Sequence, residues 1–518
     1  MRTQPRSIAG VAVTRLPELD AVAPMDAAER LRDLPGLALL ESARPGRNAR
    51  WSFLTADPVA ILTEPAAGTD PFAVGRRLLA RLSAERVVAH GRERDSAAPP
   101  FIGGLVGYLA YELGDVLERL PAAPPDDQGL PVLRLALHDW VIAWDRATGA
   151  AWLGGRALDG DTGRLGRRLA DVRHRVHRGP PAGATRPDRG GSRADAARPD
   201  DDRDLLFTSS LERPAYEAGV EAVRREIRDG AIYQANLTRR LSTAFDGDPW
   251  PLYRRLRTGD PALFSAFLDL GTGAPGHGSM FGSAQARPRG ILSASPEPFL
   301  SVTPDGRVST DPIKGTRPRG RTGEEDRALA RELLCSAKDR AENVMIVDVL
   351  RNDLGRVCRP GSVRVPRLCR LERTAAVQHL VSTVTGRLAE GRDAFDLLQA
   401  AFPGGSITGA PKIRAQAVLR GLEPTRRGPY TGALGWIGAD GAMATSILIR
   451  TFVADGTRLS LHVGGGITGR SDPAAEWEET IAKARGPLEA IGGREAPAGA
   501  ETAADPDSAA GRNQAAGR

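Results

Sequence analysis

The sequence predicts an α+β fold in which helices pack outside large antiparallel β-sheets. Two patterns indicate this fold. Strand-like apolar segments are joined by Asp-Gly turns, as in LSVTPDGRVST, and such tight turns connect antiparallel neighbours. Helical patterns such as RPAYEAGVEAVRREIRDG fall between groups of strands, not after every strand. The 518 residues are 41% apolar, which is enough for an extensive core.

Changes in composition divide the chain into four predicted parts. Residues 1–178 carry short alternating apolar segments, typical of strands joined by turns. Residues 179–203 are rich in Pro, Gly, Asp and Arg, which predicts a disordered linker. Residues 204–490 alternate more tightly between helical and strand patterns and form a second region. Residues 491–518 are rich in Ala, Gly, Asp and Arg, and we expect a disordered tail.

Composition excludes several classes of protein. The three cysteines, Cys335, Cys358 and Cys369, are too few and too irregularly spaced for a disulfide framework or a zinc site. No apolar run reaches the about 18 residues of a membrane span, and the N-terminus is too rich in charge for a signal peptide. The net charge of +7 comes from Arg spread along the chain, without interleaved aromatic residues. We expect a cytoplasmic protein that binds neither membranes nor nucleic acid.

Lysine is rare in this chain. Of 71 Lys and Arg residues, four are lysines: Lys314, Lys338, Lys412 and Lys483. Because Arg has replaced Lys wherever a positive charge is enough, each lysine is a candidate for a task that needs a compact ammonium or an amine nucleophile. Lys314, in DPIKGTRPRG, is the strongest candidate.

A lysine nucleophile must lose its proton, and only about 0.04% of an ordinary lysine is neutral at pH 7. Burial or a nearby cation would lower the pKa of Lys314. Arg317, Arg319 or a bound metal could supply that cation. The alternative is that Lys314 simply pairs with a carboxylate.

Two predicted helices each offer a row of acids. In SAKDRAENVMIVDVLRNDLGRV, helical spacing puts Lys338, Asp339 and Glu342 on one face. The second helix starts at Pro473, with Ser471 or Asp472 as its cap. The residues that share a face of the second helix are Glu476, Glu479 and Lys483. The helices could meet around Mg²⁺, which one or two carboxylates hold together with water and substrate oxygens. The alternative is two solvated faces with intrahelical ion pairs.

Two glycine-rich segments and one arginine suggest a pocket for a small polyanion. FPGGSITGAPKIRAQAVL is a loop that leads into a helix near Pro411, where free backbone N–H groups bind carboxylate or phosphate. HVGGGITGR follows a strand, and its glycines let the backbone approach a ligand. We expect Arg450 to end the strand SILIR, where it suits bidentate recognition of a carboxylate. Taken singly, each glycine cluster is more often a turn.

Seven motifs stand in a characteristic order. They are PIKGT, KDRAENVMIVDVLRNDLGRV, FPGGSITGAPK, YTGALGW, SILIRT, GGGIT and DPAAEWEETIAKA. Through them the chain resembles the chorismate-utilising enzymes, densely over roughly residues 210–490 and more weakly in the N-terminal region. The resemblance implies the chorismate-utilising enzyme fold and assigns the chorismate-binding catalytic function to residues 204–490.

Two residues point to one branch of this family. Anthranilate synthases resemble the chain but have Ala at Lys314, whereas a lysine there resembles component I of aminodeoxychorismate synthases. Gln234 stands where water-adding isochorismate and salicylate synthases have a water-activating lysine. The resemblance therefore implies amination of chorismate at C4, with anthranilate synthase component I as the alternative. A non-catalytic binding protein is a third interpretation, which the retained Glu297, Glu342 and Glu479 disfavour.

The same resemblance implies roles for individual residues. Glu297, in SASPEPFL, matches the family's general acid, which would protonate the departing C4 hydroxyl. Lys314 would attack C2 and form a covalent intermediate. The positions that match the family's substrate-binding residues are Gln234, Thr316, His379, Thr408, Tyr430, Arg450, Gly465, Gly466 and Lys483.

The resemblance also implies a cofactor and a partner. Mg²⁺ would bridge Glu342 and Glu479 to the ring carboxylate of chorismate, with Asp339 and Glu476 in support. None of the cysteines has the setting of a glutaminase nucleophile. We therefore expect ammonia to come from a separate glutamine amidotransferase subunit.

The N-terminal region carries one further likeness. Glu41 and Ser42, in LLES, resemble part of the family's tryptophan pocket. The other half of that pocket usually reads NP.PF or NPSPYM, and this chain departs from the pattern with DPALFSAF.

Overall fold

The structure is a computed structural model that describes residues 6–8, 10–44, 46, 49–68, 70–86, 98–178, 205–273, 287–374 and 377–497. The strands are Arg6–Ile8 (β1), Val11–Arg15 (β2), Ala38–Glu41 (β3), Trp51–Thr55 (β4), Ala60–Leu62 (β5), Gly104–Leu109 (β6), Leu133–His138 (β7), Trp140–Asp145 (β8), Ala150–Arg156 (β9), Leu205–Ser209 (β10), Gln234–Ala244 (β11), Phe264–Gly273 (β12), Arg287–Ser295 (β13), Pro298–Val302 (β14), Arg307–Thr310 (β15), Ile313–Pro318 (β16), Arg364–Arg373 (β17), Val377–Arg387 (β18), Gly409–Ala410 (β19), Ala433–Gly438 (β20), Met443–Ile447 (β21), Thr451–Ala454 (β22), Arg458–Ile467 (β23) and Gly493–Glu495 (β24).

Helices connect these strands. They are Pro24–Glu29 (α1), Ala73–Leu79 (α2), Gly114–Leu117 (α3), Thr162–Arg178 (α4), Arg213–Arg228 (α5), Trp250–Gly259 (α6), Gly323–Cys335 (α7), Ala337–Gly355 (α8), Ala394–Ala401 (α9), Gly405–Thr408 (α10), Lys412–Arg420 (α11) and Pro473–Ile491 (α12). Within the described ranges, no helix is long and apolar enough to cross a membrane.

The strands form two large sheets. One has 14 strands in the order β1-β2-β9-β8-β4-β3-β12-β13-β22-β23-β11-β10-β24, with β19 paired to β11. The other has 10 strands in the order β16-β18-β15-β14-β21-β20-β6-β7-β5, with β17 paired to β18. Neighbours are antiparallel, as predicted, except for the parallel pair of β10 and β24.

Strand β24 corrects the predicted start of the disordered tail. Residues 493–495 pair with residues 205–207 at the edge of the larger sheet. Glu495 is held there because Arg239, a fully buried arginine, donates through Nη2 to its Oε2 at 3.0 Å. A long-range ion pair of this kind leaves no local signal in the sequence. The predicted 179–203 linker and residues 498–518 lie outside the described residues.

Both predicted regions contribute strands to both sheets. Strand β3, from the N-terminal region, pairs with β12 in the larger sheet. Strand β6, also from the N-terminal region, pairs with β20 in the smaller sheet. The proposed boundary between the regions is therefore a boundary in sequence, and the two regions share one core.

An apolar layer lies between the facing sheets. Phe53 of β4 and Trp436 of β20 meet with ring centroids 5.8 Å apart, and Phe101 stacks on Trp436 at 4.8 Å. Two further clusters cover the outer faces: α4, α6 and α12 pack against the larger sheet, and α8 and α9 pack against the smaller one. This arrangement confirms the predicted α+β fold with helices outside the sheets.

Candidate active site

The residues singled out by the motifs converge where the two sheets and two helices meet. Strand β16 lies at an edge of the smaller sheet and packs against α8, while β23 of the larger sheet packs against α12. The short helix α10 contacts both α8 and β11. The site is thus built from elements far apart in sequence.

Lys314 projects from β16 toward α10. Its Nζ donates a hydrogen bond to the carbonyl oxygen of Ser406 at 3.0 Å. Burial lowers the pKa of Lys314, and this effect outweighs the opposing attraction of Glu297 and Glu342. The neutral amine that a nucleophile needs is therefore more accessible than in a solvated lysine.

Of the two predicted routes to a lowered pKa of Lys314, burial is the one that operates, and two of the candidate cations are engaged elsewhere. Arg317 donates to Glu332 at 2.7 Å, and Arg319 donates to Asp326 at 2.6 Å. The cation that acts on Lys314 is Lys483.

The glycine of the PIKGT motif lets β16 approach α8 closely. Gly315 has a φ of +77°, and a Cβ there would lie 2.9 Å from both Cβ of Asp339 and Cδ1 of Leu333. Only glycine adopts this conformation without strain and without displacing the helix. Gly315 therefore keeps Lys314 in register with the acids of α8.

Glu297 is a buried carboxyl group in the turn between β13 and β14. Burial raises the pKa of Glu297, while Lys314, the Ser406 hydroxyl and the backbone N–H of Ile313 act in the opposite direction. A carboxyl group with a raised pKa keeps its proton more readily, which suits a general acid.

The acidic faces of α8 and α12 come close to each other. Lys338 of α8 lies 3.9 Å from Glu476 of α12, measured from Nζ to Oε1. Glu342 has a buried Oε1 without a hydrogen-bond partner among the described residues. Burial raises the pKa of both Glu342 and Glu476.

Glu479 and Lys483 form an ion pair beside the glycines of β23. Lys483 Nζ lies 2.7 Å from Glu479 Oε1 and donates to the carbonyl oxygen of Gly464 at 2.8 Å. Burial acts to raise the pKa of Glu479, but Lys483 and the other nearby lysines lower it overall. A Cβ on Gly465 would lie 3.0 Å from Glu476 Oε2 and 3.6 Å from Glu479 Oε1.

These carboxylates fit a hard divalent cation. No group of three ligating His, Cys, Asp or Glu side chains is assembled within the described ranges, but Mg²⁺ needs only one or two protein carboxylates. Glu476 is buried and Glu342 is partly buried, and burial raises the pKa of both, an effect that a bound cation would oppose. Asp339 is less available, because Arg317 donates to its Oδ2 at 3.3 Å.

Gln234 lies on the other side of the glycines of β23. Its side chain is fully buried, its Nε2 donates to Asn236 Oδ1 at 3.3 Å, and its Oε1 has no partner among the described residues. A Cβ on Gly466 would lie only 2.1 Å from Gln234 Nε2. Asn236 Nδ2 in turn donates to the carbonyl oxygen of Ser406 at 3.2 Å.

Thr316, His379 and Arg450 form a second group, next to the first. Thr316 Oγ1 and His379 Nδ1 are hydrogen-bonded at 2.9 Å. His379 and Arg450 line a cavity of about 110 Å³, together with Ile313 and Pro296, the chain neighbours of Lys314 and Glu297. Burial, reinforced by Arg450, lowers the pKa of His379 to about 4, so this imidazole is neutral at physiological pH.

Arg450 does not end a strand, which corrects our expectation. Strand β21 ends at Ile447, and Arg450 has a left-handed φ of 50° just before β22. The reason is topological: β21 belongs to the smaller sheet and β22 to the larger, so the chain must cross between sheets here. This crossover places the guanidinium at the cavity.

Thr408 ends α10, and Tyr430 lies close to it. Tyr430 is buried and stacks on His462 with ring centroids 5.0 Å apart. Thr408 is fully buried, and its Oγ1 has no partner among the described residues. Arg427 is close to Tyr430 and donates to the carbonyl oxygen of Ile407 at 3.0 Å. Arg427 therefore links Tyr430 to the residue that precedes Thr408.

Comparison with known proteins identifies the family. A sequence model described as chorismate binding enzyme matches residues 40–489. The chain belongs to the chorismate-binding enzymes. It is 40% identical over 481 residues to anthranilate synthase component 1 of Streptomyces coelicolor, covering 91% of this chain and 87% of the relative. It is 38% identical over 455 residues to aminodeoxychorismate synthase component 1 of Salmonella typhimurium, covering 85% and 90%.

A solved structure agrees with this family assignment. The crystal structure of anthranilate synthase component I from Streptococcus pneumoniae superimposes with a TM-score of 0.67 at 30% identity, covering 85% of this chorismate-binding enzyme and 92% of that chain. The overlap confirms the predicted chorismate-utilising fold. The relatives carry both names that the sequence left open, so the residues of the site must decide between them.

Sequence reasoning missed two residues of this chorismate-binding enzyme. Ser406 contacts both Lys314 and Glu297, and Asn236 supports Ser406. Both lie inside segments that the sequence singled out, FPGGSITGAPK and AIYQANLTRR. The motifs therefore contained both residues, but the contacts of Ser406 and Asn236 depend on the packing of α10 against β11.

Proposed function

We propose that this protein is component I of an aminodeoxychorismate synthase, which aminates chorismate at C4 to 4-amino-4-deoxychorismate. The observation that carries the proposal is the placement of Lys314. Its amine is partly buried, has a lowered pKa and lies beside the buried acid Glu297. The anthranilate synthases that the chain resembles have Ala at this position, so their reaction does not need a lysine there.

The proposed reaction has two steps. Lys314 attacks ring carbon C2 as the ring double bonds shift and the C4–O bond breaks, and Glu297 gives its proton to the leaving hydroxyl, which departs as water. Ammonia then attacks C4, the double bonds shift back and the C2–N bond to Lys314 breaks. The sum is chorismate plus ammonia giving 4-amino-4-deoxychorismate plus water.

The other side chains bind and orient the substrate in this proposal. Mg²⁺, when bound by Glu342 and Glu479 with Asp339 and Glu476 in support, would neutralise the ring carboxylate. Arg450, which lines a cavity together with His379, would bind a second carboxylate. Gly465 and Gly466 would leave room for the ring because they have no side chains, and the remaining substrate-binding positions would line the pocket.

Ammonia is the second substrate in this proposal, and a separate glutamine amidotransferase subunit would supply it. The free Oε1 of Gln234 can accept a hydrogen bond from an incoming N–H group. A neutral amide, unlike a lysine, cannot take a proton from water. Gln234 therefore supports an ammonia-using reaction over a water-adding one.

The test is product identification. The protein is incubated with chorismate, Mg²⁺ and a high concentration of ammonium at alkaline pH, without any partner, and the products are separated by mass spectrometry. We expect 4-amino-4-deoxychorismate. Release of pyruvate together with fluorescent anthranilate would instead establish the alternative, an anthranilate synthase component.

The nucleophile is tested separately. We expect Lys314→Ala to reduce amination at least 100-fold, which is within the range that such activated groups contribute. Intact-mass and peptide analysis should find a chorismate-derived adduct on Lys314 in the native protein and in a Lys338→Ala control, which removes an exposed ammonium from the same neighbourhood. Unchanged turnover of Lys314→Ala would exclude covalent catalysis by this residue.

A further inference from the structure

Ser406 lies beside both groups of the proposed chemistry. It lies in α10 and is buried. Its carbonyl oxygen accepts the hydrogen bond from Lys314 Nζ at 3.0 Å, and its hydroxyl is near enough to Glu297 to act against the rise in the pKa of that carboxyl group. The nucleophile lies on β16 and the acid lies in the turn between β13 and β14, and both are close to this one residue.

Ser406 is itself held from two sides. Asn236 Nδ2 donates to the same carbonyl oxygen at 3.2 Å. The preceding residue, Gly405, packs so tightly on α8 that a Cβ there would lie 2.6 Å from Val349 Cγ1. Ser406 therefore has little freedom to move, and a rigid support of this kind is what accurate placement of catalytic groups requires.

The two contacts have different chemical consequences. A carbonyl oxygen can only accept hydrogen bonds, so the Ser406 carbonyl binds one N–H of Lys314. The lone pair of the neutral amine then points away from Ser406 and is available for attack on the substrate. The Ser406 hydroxyl acts to lower the pKa of Glu297, so it favours the carboxylate that remains after the proton has been given to the leaving group. Charged neighbours also act on this pair: Lys483 on both groups, and Glu342 and Glu479 on Lys314.

We propose that Ser406 is a positioning residue for chorismate amination, which aims the amine of Lys314 through its carbonyl oxygen and the carboxyl group of Glu297 through its hydroxyl. The inference rests on the proposed function, because it assigns Ser406 to the same reaction. Ser406 itself does not bond to the substrate in this scheme.

The test uses the full-length protein with chorismate, Mg²⁺ and ammonium. Ser406→Ala removes the hydroxyl and keeps the carbonyl oxygen, and we expect kcat to fall at least tenfold while KM for chorismate changes less than about twofold, because the interaction matters in the transition state. Ser406→Thr retains a hydroxyl and should recover most of kcat. Ser460→Ala removes another buried hydroxyl, which accepts from Gln128 at 3.2 Å, and should keep native kcat.

Several results would overturn the inference: an unchanged kcat in Ser406→Ala, a change confined to KM, or an equal loss in Ser406→Ala and Ser406→Thr with native unfolding midpoints. The product of the native protein separates this inference from the proposed function. If the native protein forms anthranilate, the proposed function fails on its own. If it forms 4-amino-4-deoxychorismate and Ser406→Ala is fully active, only the positioning role fails.

Discussion

Replacement of Lys412 by methionine should destabilise the protein strongly, although Lys412 takes no part in the proposed chemistry. Lys412 Nζ lies 3.0 Å from Asp353 Oδ2 and also donates to the carbonyl oxygen of Ala401 at 3.1 Å. The side chain of Asp353 is 1% exposed, and that of Lys412 is 16% exposed. Methionine has a similar length and leaves the carboxylate buried without its cation.

The expected loss follows from this burial. Removal of one partner from a buried ion pair costs about 3–5 kcal/mol, against about 0–1 kcal/mol for an exposed pair. Burial raises the pKa of Asp353 even with Lys412 present, and its Oδ1 has no partner among the described residues. Without Lys412 the folded-state pKa rises further above the unfolded value. The loss is therefore largest at neutral pH and shrinks as the pH falls and the carboxyl group becomes protonated.

Urea unfolding at pH 7 and at pH 5 measures this loss. The control is Lys338→Met, which removes an ammonium that is 46% exposed and 3.9 Å from its acid, and which should cost less than about 1 kcal/mol. The double variant Lys412→Met/Asp353→Leu should recover most of the stability. Lys412→Arg should also be less stable, because a planar guanidinium does not fit the place of a compact ammonium. Native stability in both single Lys412 variants would refute the idea that the rare lysines mark positions arginine cannot fill.

Three further predictions concern the site. Gly466→Ala should abolish activity while the unfolding midpoint changes little, because its Cβ would lie 2.1 Å from Gln234 Nε2 and displace that amide; native turnover would contradict the close approach. Glu342→Gln should raise the Mg²⁺ concentration needed for half-maximal activity at least tenfold, because it removes a carboxylate charge. Titration calorimetry with Mg²⁺ measures the weaker binding directly, in the absence of chorismate. The pH profile of kcat/KM should be bell-shaped, with both limbs inside the interval between ordinary glutamate and lysine pKa values. The reason is that one proton serves the pair: both groups are protonated at low pH and neither at high pH, while burial raises the pKa of Glu297 and lowers that of Lys314. Apparent pKa values at or outside those of ordinary glutamate and lysine would argue against a catalytic role for this pair.

Features that depend on neighbouring residues could be predicted from the sequence. Helix α12 begins at Pro473, and Asp472 caps it by accepting from the N–H of Ala475 at 2.9 Å. Glu479 and Lys483 pair one turn apart, as their spacing requires. Capping, turn chemistry and helical periodicity are local, so the motifs that carry them remain readable without the fold.

Features that depend on the path of the chain could not be predicted. Arg450 leaves its expected strand because the chain crosses between sheets there. Arg317 looked like a free cation, but α7 and α8 bring Glu332 and Asp339 to it. The contacts of Ser406 exist only because α10 packs between β16 and β11, which are far from it in sequence. In each case the deciding contact joins residues that no sequence period relates.

The interleaved sheets determine when this protein can fold. Strand β6 reaches its neighbour β20 only after residue 438 has been made, and β3 waits for β12. Strand β6 pairs early with β7, and β3 with β4, but at about 5–20 residues per second the other edge of each strand stays unpaired for tens of seconds. Newly made chains therefore depend on protection from aggregation, and any fragment that ends before β20 should be degraded or insoluble, not partly active.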